Sequence, residues 1–498
     1  MAATGGRERM SSVDTAWLRM DRPSNLMMIV GIDVFERPVD VAALRAVIET
    51  RLLAFARFRQ RVEHDATGTA WWVDDDRFDL DAHLVPHRLD GDGDDAALQR
   101  FVAELAITPL DPDRPLWQFH LIEDYRGASA LVTRIHHCIA DGIALVRVML
   151  SMSDDGQAAT PRRRRTSAPP DSGHEDLAHT LMAMFEPMTR TAMKSVEKAG
   201  GSLARALEAT GESGTLSGLL AIGGRVTQDA LAIALMSEDS RTRLKGKPGR
   251  HKVVAWNDPL PLEEVKTVCR ALGVSVNDVL LSCVAGALRR YLADKGDDTR
   301  GMEIRAMVPV NLRPANESPR LGNRFGLVPL VLPVGLANPL ERLYDVRRRM
   351  DELKGGYQAP LAYALLSVVG QAPRVLQSGI LDYLASKSTA VMTNVPGPAE
   401  PIRIAGKTVQ RVMFWVPQSS DIGMGVSILS YRGGVQFGVM TDSKLCPEPQ
   451  HIIDGFAPEF ERLLLTLALL PRDLLAGGPV DPRELEHRLF RAPPPLAA

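Results

Sequence analysis

A chain of 498 residues, 45% of them apolar, exceeds what one typical hydrophobic core organises and points to two domains with a connecting segment. Its 59 basic residues against 61 acidic ones leave a net charge of −2, which argues against a nucleic-acid binder built on an overall basic surface. Four widely separated cysteines (Cys138, Cys269, Cys283, Cys446) form no CxxC pair, as in a reducing cytosol. No apolar run reaches the roughly 18 residues of a membrane span and the opening MAATGGRERM has no apolar signal core, so membrane contact is expected to be peripheral.

From Ser11 the pattern predicts a short helical piece, then a strand at about Met27 to Phe35. Val39 to Arg61 reads as an amphipathic helix, and Trp71 and Trp72 fall on a strand where core packing accounts for them. Pro115, Leu116 and Trp117 open a strand, LWQFHLIED, joined through Arg126 and Gly127 to a second strand as a hairpin.

That second strand ends in HHCIADG, residues 136 to 142, and a helix of apolar periodicity follows from Gly142 to Met152. Side chains alternate on an extended backbone, so His136 and His137 are expected to diverge, one turned inward and one facing a cavity. Diverging neighbours make a metal site from His136, His137 and Asp141 awkward. A single imidazole facing a cavity suits a general base, because its unperturbed pKa of about 6.5 leaves it able to accept a proton at neutral pH. Asp141, placed directly before the helix, can cap it and brace the turn. An N-cap aspartate and two satisfied core histidines would use the same residues without any chemistry.

From Ser153 to Lys247 the composition shifts. A polar, Pro-rich tract carries Arg162 to Arg165, which suit either a solvated linker or contact with anionic lipid headgroups. Leu177, Leu181, Met184, Phe185, Met188, Ala192 and Val196 then recur at helical spacing, a Met-rich face for packing on the second domain or on a lipid surface. Lys245, Lys247, Arg250 and Lys252 form a basic loop, a candidate for binding phosphates or simply solvated.

The second half opens with a strand, HKVVAW, and a helix at about Leu262 to Leu272. A long helix follows, whose start is marked by the acceptors Ser275 to Asp278. EIRAMVPVNLRP is a strand running into a loop, followed by RLGNRFG. TAVMTNVPGP is a strand ending in a Pro/Gly turn, and a hairpin turns around Gly433 and Gly434. A Leu-rich helix from about Pro449 to Leu469 closes the fold, with a Pro-rich tail behind it.

HHCIADG on a strand-to-helix turn resembles the active-site signature of the acyl-CoA-dependent acyltransferase superfamily, which includes chloramphenicol acetyltransferase and peptide-synthetase condensation domains. Together with PLW, Asn277–Asp278, VNLRP, Gly322–Asn323 and NVPGP in the same order, it resembles the bacterial wax ester synthase/diacylglycerol acyltransferase family over about Ser11 to Leu470, the linker excepted. Where that family usually shows Pro-Met-His, this chain has Leu26, Met27 and Met28.

The resemblance implies an α/β fold of two chloramphenicol-acetyltransferase-like halves, mixed sheets flanked by helices, with a tunnel at their interface. The halves would be residues 1–152 and 249–475, with 153–248 as linker and 476–498 as tail. It implies His137 as general base, with His136, Asp141 and Gly142 as structural support. Asn277, Asp278, Asn311 and Arg313 would support the site, and Arg313 would pair with Asp141 across the halves. A backbone N–H near Gly142 or the Asn277 side chain would face the oxyanion. The implied reaction moves a fatty acyl group from acyl-CoA, a co-substrate, to diacylglycerol or a long-chain alcohol, with no metal and no resident cofactor. The implied location is the cytoplasm, peripherally on the inner face of the membrane or a lipid-droplet surface. The competing expectations are a condensation-type enzyme acting on an amine or carrier-bound substrate, and a non-catalytic lipid-surface protein.

Overall fold

The computed structural model describes residues 7–154, 239–312, 321–354, 362 and 374–469. The Arg162–Arg165 tract, the helix expected from Leu177, Arg313 and the tail lie outside the described residues.

The amino-terminal half is built on a six-stranded sheet. Its strands β2 (Met28–Phe35), β5 (Leu84–His87), β6 (Trp117–Tyr125) and β7 (Ala128–His136) come from this half. Two more come from the other end of the chain, β13 (Arg403–Ile404) and β14 (Lys407–Trp415), giving the order β13-β14-β2-β7-β6-β5. β14 runs antiparallel to β2, so the expected division after residue 248 separates the chain in sequence but not in the sheet. A small three-stranded sheet of β1 (Glu8–Arg9), β4 (Ala70–Asp74) and β3 (Gln60–His64) lies apart from it. The hairpin between β6 and β7 turns on Arg126 and Gly127, both at positive φ (50° and 74°), the geometry that matches strand twist in a two-residue turn.

The helix expected over Val39 to Arg61 is shorter. Leu44, Ile48 and Leu52, spaced by four, bury one face of α2 (Val41–Val47) and of a wider turn that follows it. Beyond Leu53 the spacing of four is lost, and Gln60 to His64 pair with β4 as a strand.

The second half holds a seven-stranded mixed sheet. Its order is β11 (Phe325–Leu332), β10 (Ile304–Asn311), β12 (Ala390–Pro396), β15 (Met424–Tyr431), β16 (Gly434–Asp442) and β8 (Lys252–Trp256), with β9 (Leu260–Pro261) beside β16. The turn between β15 and β16 sits on Arg432 and Gly433, one residue earlier than the sequence suggests, because Gly434 already belongs to the strand. Helices Val276–Asp294 and Gln450–Leu469 cover one face of this sheet and share its core, with Val279, Val284, Leu288, Phe437, Phe456 and Phe460 all buried. No single helix among the described residues is long and apolar enough to cross a membrane.

A second core joins the halves. Trp17, Ile135, Cys138 and Leu145 from the first pack with Phe325, Leu429 and Tyr431 from the second. HHCIADG leaves β7 on the edge of this shared core.

Candidate active site

β7 ends at His136, which pairs in register with Met28 of β2. The chain then turns, and Asp141 caps α4 (Gly142–Ser151) from an extended backbone, its Oδ1 accepting the Ala144 N–H at 2.9 Å. The helix therefore begins where the sequence places it, because one carboxylate satisfies an amide that has no partner inside the helix.

Both histidines are buried, His136 at 3% and His137 at 4% exposure, so exposure alone does not tell the inward ring from the one expected to face a cavity. Hydrogen bonding separates them instead. His136 is committed on both ring nitrogens, Nδ1 accepting the Cys138 N–H at 3.1 Å and Nε2 lying 3.3 Å from Asp21 Oδ2. An Nδ1 that accepts fixes the proton on Nε2, so His136 serves as a brace. Asp21 in turn accepts the Met27 N–H at 2.5 Å, and the Met27 carbonyl accepts the His137 N–H at 2.7 Å.

His137 has its backbone tied down and its ring left chemically free. Its imidazole stacks on Trp17 at 4.2 Å between centroids and 18° between planes, and Phe325 stands 5.5 Å away. Nδ1 is sealed without a hydrogen-bond partner; Nε2 has none among the described residues either and is not among the sealed polar atoms. Burial pushes the pKa down to about 4, opposed by the ring's own backbone carbonyl and by the Asn323 side chain. Desolvation disfavours the imidazolium, so the ring is neutral at pH 7. Both opposing groups are acceptors, so each favours a proton on the ring and neither outweighs the desolvation.

The second half supplies the clamp. Gly322, at a φ of +117° that glycine adopts and other residues resist, bridges to Ala140 and delivers Asn323 and Arg324 to the turn. Asn323 Nδ2 donates to the His137 carbonyl at 2.7 Å and to Asp14 Oδ1 at 2.8 Å, and the Asn323 N–H donates to the same oxygen at 3.2 Å. The Arg324 N–H donates to Asp141 Oδ2 at 3.0 Å. Asp141 thus does bind across the halves, through the backbone of residue 324; the expected partner Arg313 lies outside the described residues.

The remaining expected residues fall in several places. Asp278 closes a capping box with Ser275, at 2.8 and 3.2 Å, at the start of α6 (Val276–Asp294, following α5 at Leu262–Leu272). Asn277 accepts from the Asn394 amide of the NVPGP strand. Asn311 ends β10, opposite Phe325. Lys247 and Arg250 are exposed, and the Lys245 ammonium stands 4.0 Å from Asp239. Lys252 corrects the basic-loop expectation. It is 8% exposed, donates to Asn25 Oδ1 at 2.6 Å, and cannot meet a phosphate arriving from solvent.

Sequence reasoning did not assign roles to Trp17, Asp14, Asp21 or Asn323. Asn323 lay in a matched motif, but nothing in its spacing disclosed which carbonyl it would reach. Asp14 sits three residues after Ser11 and reads as part of a helix start, which conceals its second use by Asn323.

The family model of the wax ester synthase/diacylglycerol acyltransferase catalytic domain matches residues 10–280, and that of the family's C-terminal domain matches residues 321–464. The chain belongs to this family. It is accordingly an acyltransferase, which sets aside the non-catalytic expectation. It is 27% identical over 465 residues to a probable diacylglycerol O-acyltransferase of Mycobacterium tuberculosis, covering 91% of this chain and 95% of that one. A second putative diacylglycerol O-acyltransferase of the same species is 27% identical over 485 residues, covering 92% and 97%. In fold it resembles the wax ester synthase/diacylglycerol acyltransferase of Marinobacter aquaeolei VT8, with TM-score 0.64, 21% identity, and 93% and 100% of the two chains covered. The first condensation domain of the calcium-dependent antibiotic synthetase is similar at TM-score 0.56 and 16% identity, with 95% and 98% covered. The expected fold of two chloramphenicol-acetyltransferase-like halves holds.

Proposed function

We propose that this acyltransferase moves a fatty acyl group from acyl-CoA to the hydroxyl of diacylglycerol or a long-chain alcohol, with His137 as general base. The observation that carries the proposal is a buried ring that desolvation keeps neutral, whose Nε2 has no hydrogen bond among the described residues and whose backbone and stacking partners are fixed from both halves of the protein. Nε2 takes the acceptor's proton as its oxygen attacks the thioester carbonyl. The same nitrogen returns that proton to the departing thiolate, so the proton balance closes within one ring and no acyl-enzyme forms.

General-base assistance contributes about 10² to 10⁴ in rate, and the rest comes from holding thioester and hydroxyl in line. The Asn323 and Asp21–Met27 tethers support that part, because they fix the carbonyl and the N–H of residue 137 independently. His136, Asp141 and the Asn277–Asp278 pair act as supports. The protein works at the inner face of the cytoplasmic membrane or on a neutral-lipid surface, where both lipid substrates partition.

The test is purified protein given palmitoyl-CoA with diolein, hexadecanol or hexadecylamine, read as CoA release and extracted lipid. Triacylglycerol or wax ester is expected. Product from the amine alone would transfer the chain to the condensation-type reading, and no product from any acceptor would overturn the proposal.

A further inference from the structure

The sheet face that carries His137 also carries an acid that the reaction above does not use. Asp33 lies near the middle of β2, in register with Leu131 of β7 and Val412 of β14. Its neighbours Ile32 and Val34 belong to the core on the opposite face. Leu131, Ile135, Trp17 and Phe325 belong to the shared core between the halves, so Asp33 points to the side on which His137 stacks. It is 5% exposed, and no hydrogen bond or ion pair engages its carboxyl among the described residues. Burial with nothing to offset it pushes the carboxyl up to about 7, so it both donates and accepts near neutral pH.

Two register rows nearer to His137, on the same face, Gly31 stands opposite Thr133 and Phe414. Gly31 is only half-buried although strands flank it on both sides, and a Cβ there would come within 2.7 Å of Thr133 Oγ1. Thr133 is 6% exposed, and its hydroxyl likewise has no hydrogen bond among the described residues. Two polar side chains with no partner among the described residues, each more than nine-tenths buried, thus lie on the face of the base, the Thr133 hydroxyl directly over the bare backbone of Gly31. An unpaired buried acid costs stability, and here no structural partner offsets it.

We infer that Asp33 and Thr133 form a polar subsite for a substrate chain bearing a hydroxyl far from its reacting end. At about 3.3 Å per residue, Thr133 lies about 10 Å and Asp33 about 17 Å along the strand from its end at His136, next to the base. A chain running down this face from the base meets a hydroxyl-binding pair near its far end. The inference rests on the acyl-transfer reading and adds the chemistry of the chain that reading accepts.

Either the acyl chain or the alcohol chain supplies the hydroxyl, and the experiment separates the two. One arm compares 16-hydroxyhexadecanoyl-CoA with palmitoyl-CoA at fixed hexadecanol. The other compares hexadecane-1,16-diol with hexadecanol at fixed palmitoyl-CoA, counting kcat/KM per reactive hydroxyl. In one arm the hydroxylated chain is expected to be favoured about tenfold, the worth of a hydrogen bond otherwise left unmade. Asp33→Leu and Thr133→Val should each pull that ratio toward one. A wild-type ratio at or below one in both arms overturns the inference without needing any variant to fold, as does a preference that both variants retain in full. No turnover of palmitoyl-CoA with hexadecanol, with the diol or with diolein tells instead against the acyl-transfer reading.

Discussion

Asn323→Ala removes the clamp without deleting any ring of the site. The side chain's two donations, to the His137 carbonyl at 2.7 Å and to Asp14 Oδ1 at 2.8 Å, disappear, whereas the backbone donation to Asp14 remains. A neutral hydrogen bond contributes about 1 kcal/mol and one to a carboxylate about 1.5–3 kcal/mol, so the expected loss of stability is about 3 kcal/mol. Burial already raises the Asp14 pKa and Asn323 opposes it, so the variant raises it further. A raised folded-state pKa means stability present at low pH and lost as pH rises through it, so the deficit against wild type shrinks on acidification. A freed carbonyl lets the ring wander by about 1 Å, which lowers kcat about 100-fold, with a smaller change in KM. Urea denaturation at pH 7 and pH 5, with steady-state CoA release, reads all of this. A stability change under about 0.5 kcal/mol together with kcat within twofold of wild type would refute the clamp.

Other consequences are equally open to measurement. Because His137 stays neutral down to about pH 4, kcat/KM should hold level from pH 7 to about 5 and fall only below that; an acid limb centred near 6.5 would mean an unshifted ring. Gly322→Ala places a side chain at a φ of +117°, costs about 1–3 kcal/mol, and should lower kcat by displacing Asn323; a variant matching wild type in both would show that the loop tolerates the change. Burial pulls the Lys252 pKa down to about 8, against the pull of Asp442, so charging this ammonium costs stability as pH falls from 10.5 through 8. Wild type should therefore gain on Lys252→Met as pH rises over that window, by up to about 3 kcal/mol, and a difference that does not vary with pH would contradict the buried charge.

Much of the fold is legible in local pattern. The helix at Leu262–Leu272, the Ser275 cap, the Arg126–Gly127 hairpin and the Asp141 cap all follow from spacing and turn chemistry within a few residues. The misreadings have one origin, that partners distant in sequence decide them. The β14–β2 pairing joins Lys407–Trp415 to a strand some 380 residues earlier, and no local pattern in either announces the other. Lys252 reads as one more cation in a basic loop, yet Asn25 takes it out of solvent. Strand alternation predicts that His136 and His137 diverge, but the strand ends at His136, and what distinguishes the two rings is which nitrogens find partners among the described residues. HHCIADG thus points to the candidate site, while the contacts of Trp17, Asp21 and Asn323 with its two histidines become visible only in three dimensions.

The central claim is that one neutral imidazole carries the proton from hydroxyl oxygen to sulfur. Its most direct test is the single-turnover rate of CoA release from palmitoyl-CoA with saturating acceptor, in wild type and in His137→Ala of matched thermal stability. The account predicts a rate about 10²- to 10⁴-fold lower in the variant. A variant within a few-fold of wild type would place the base elsewhere and contradict it.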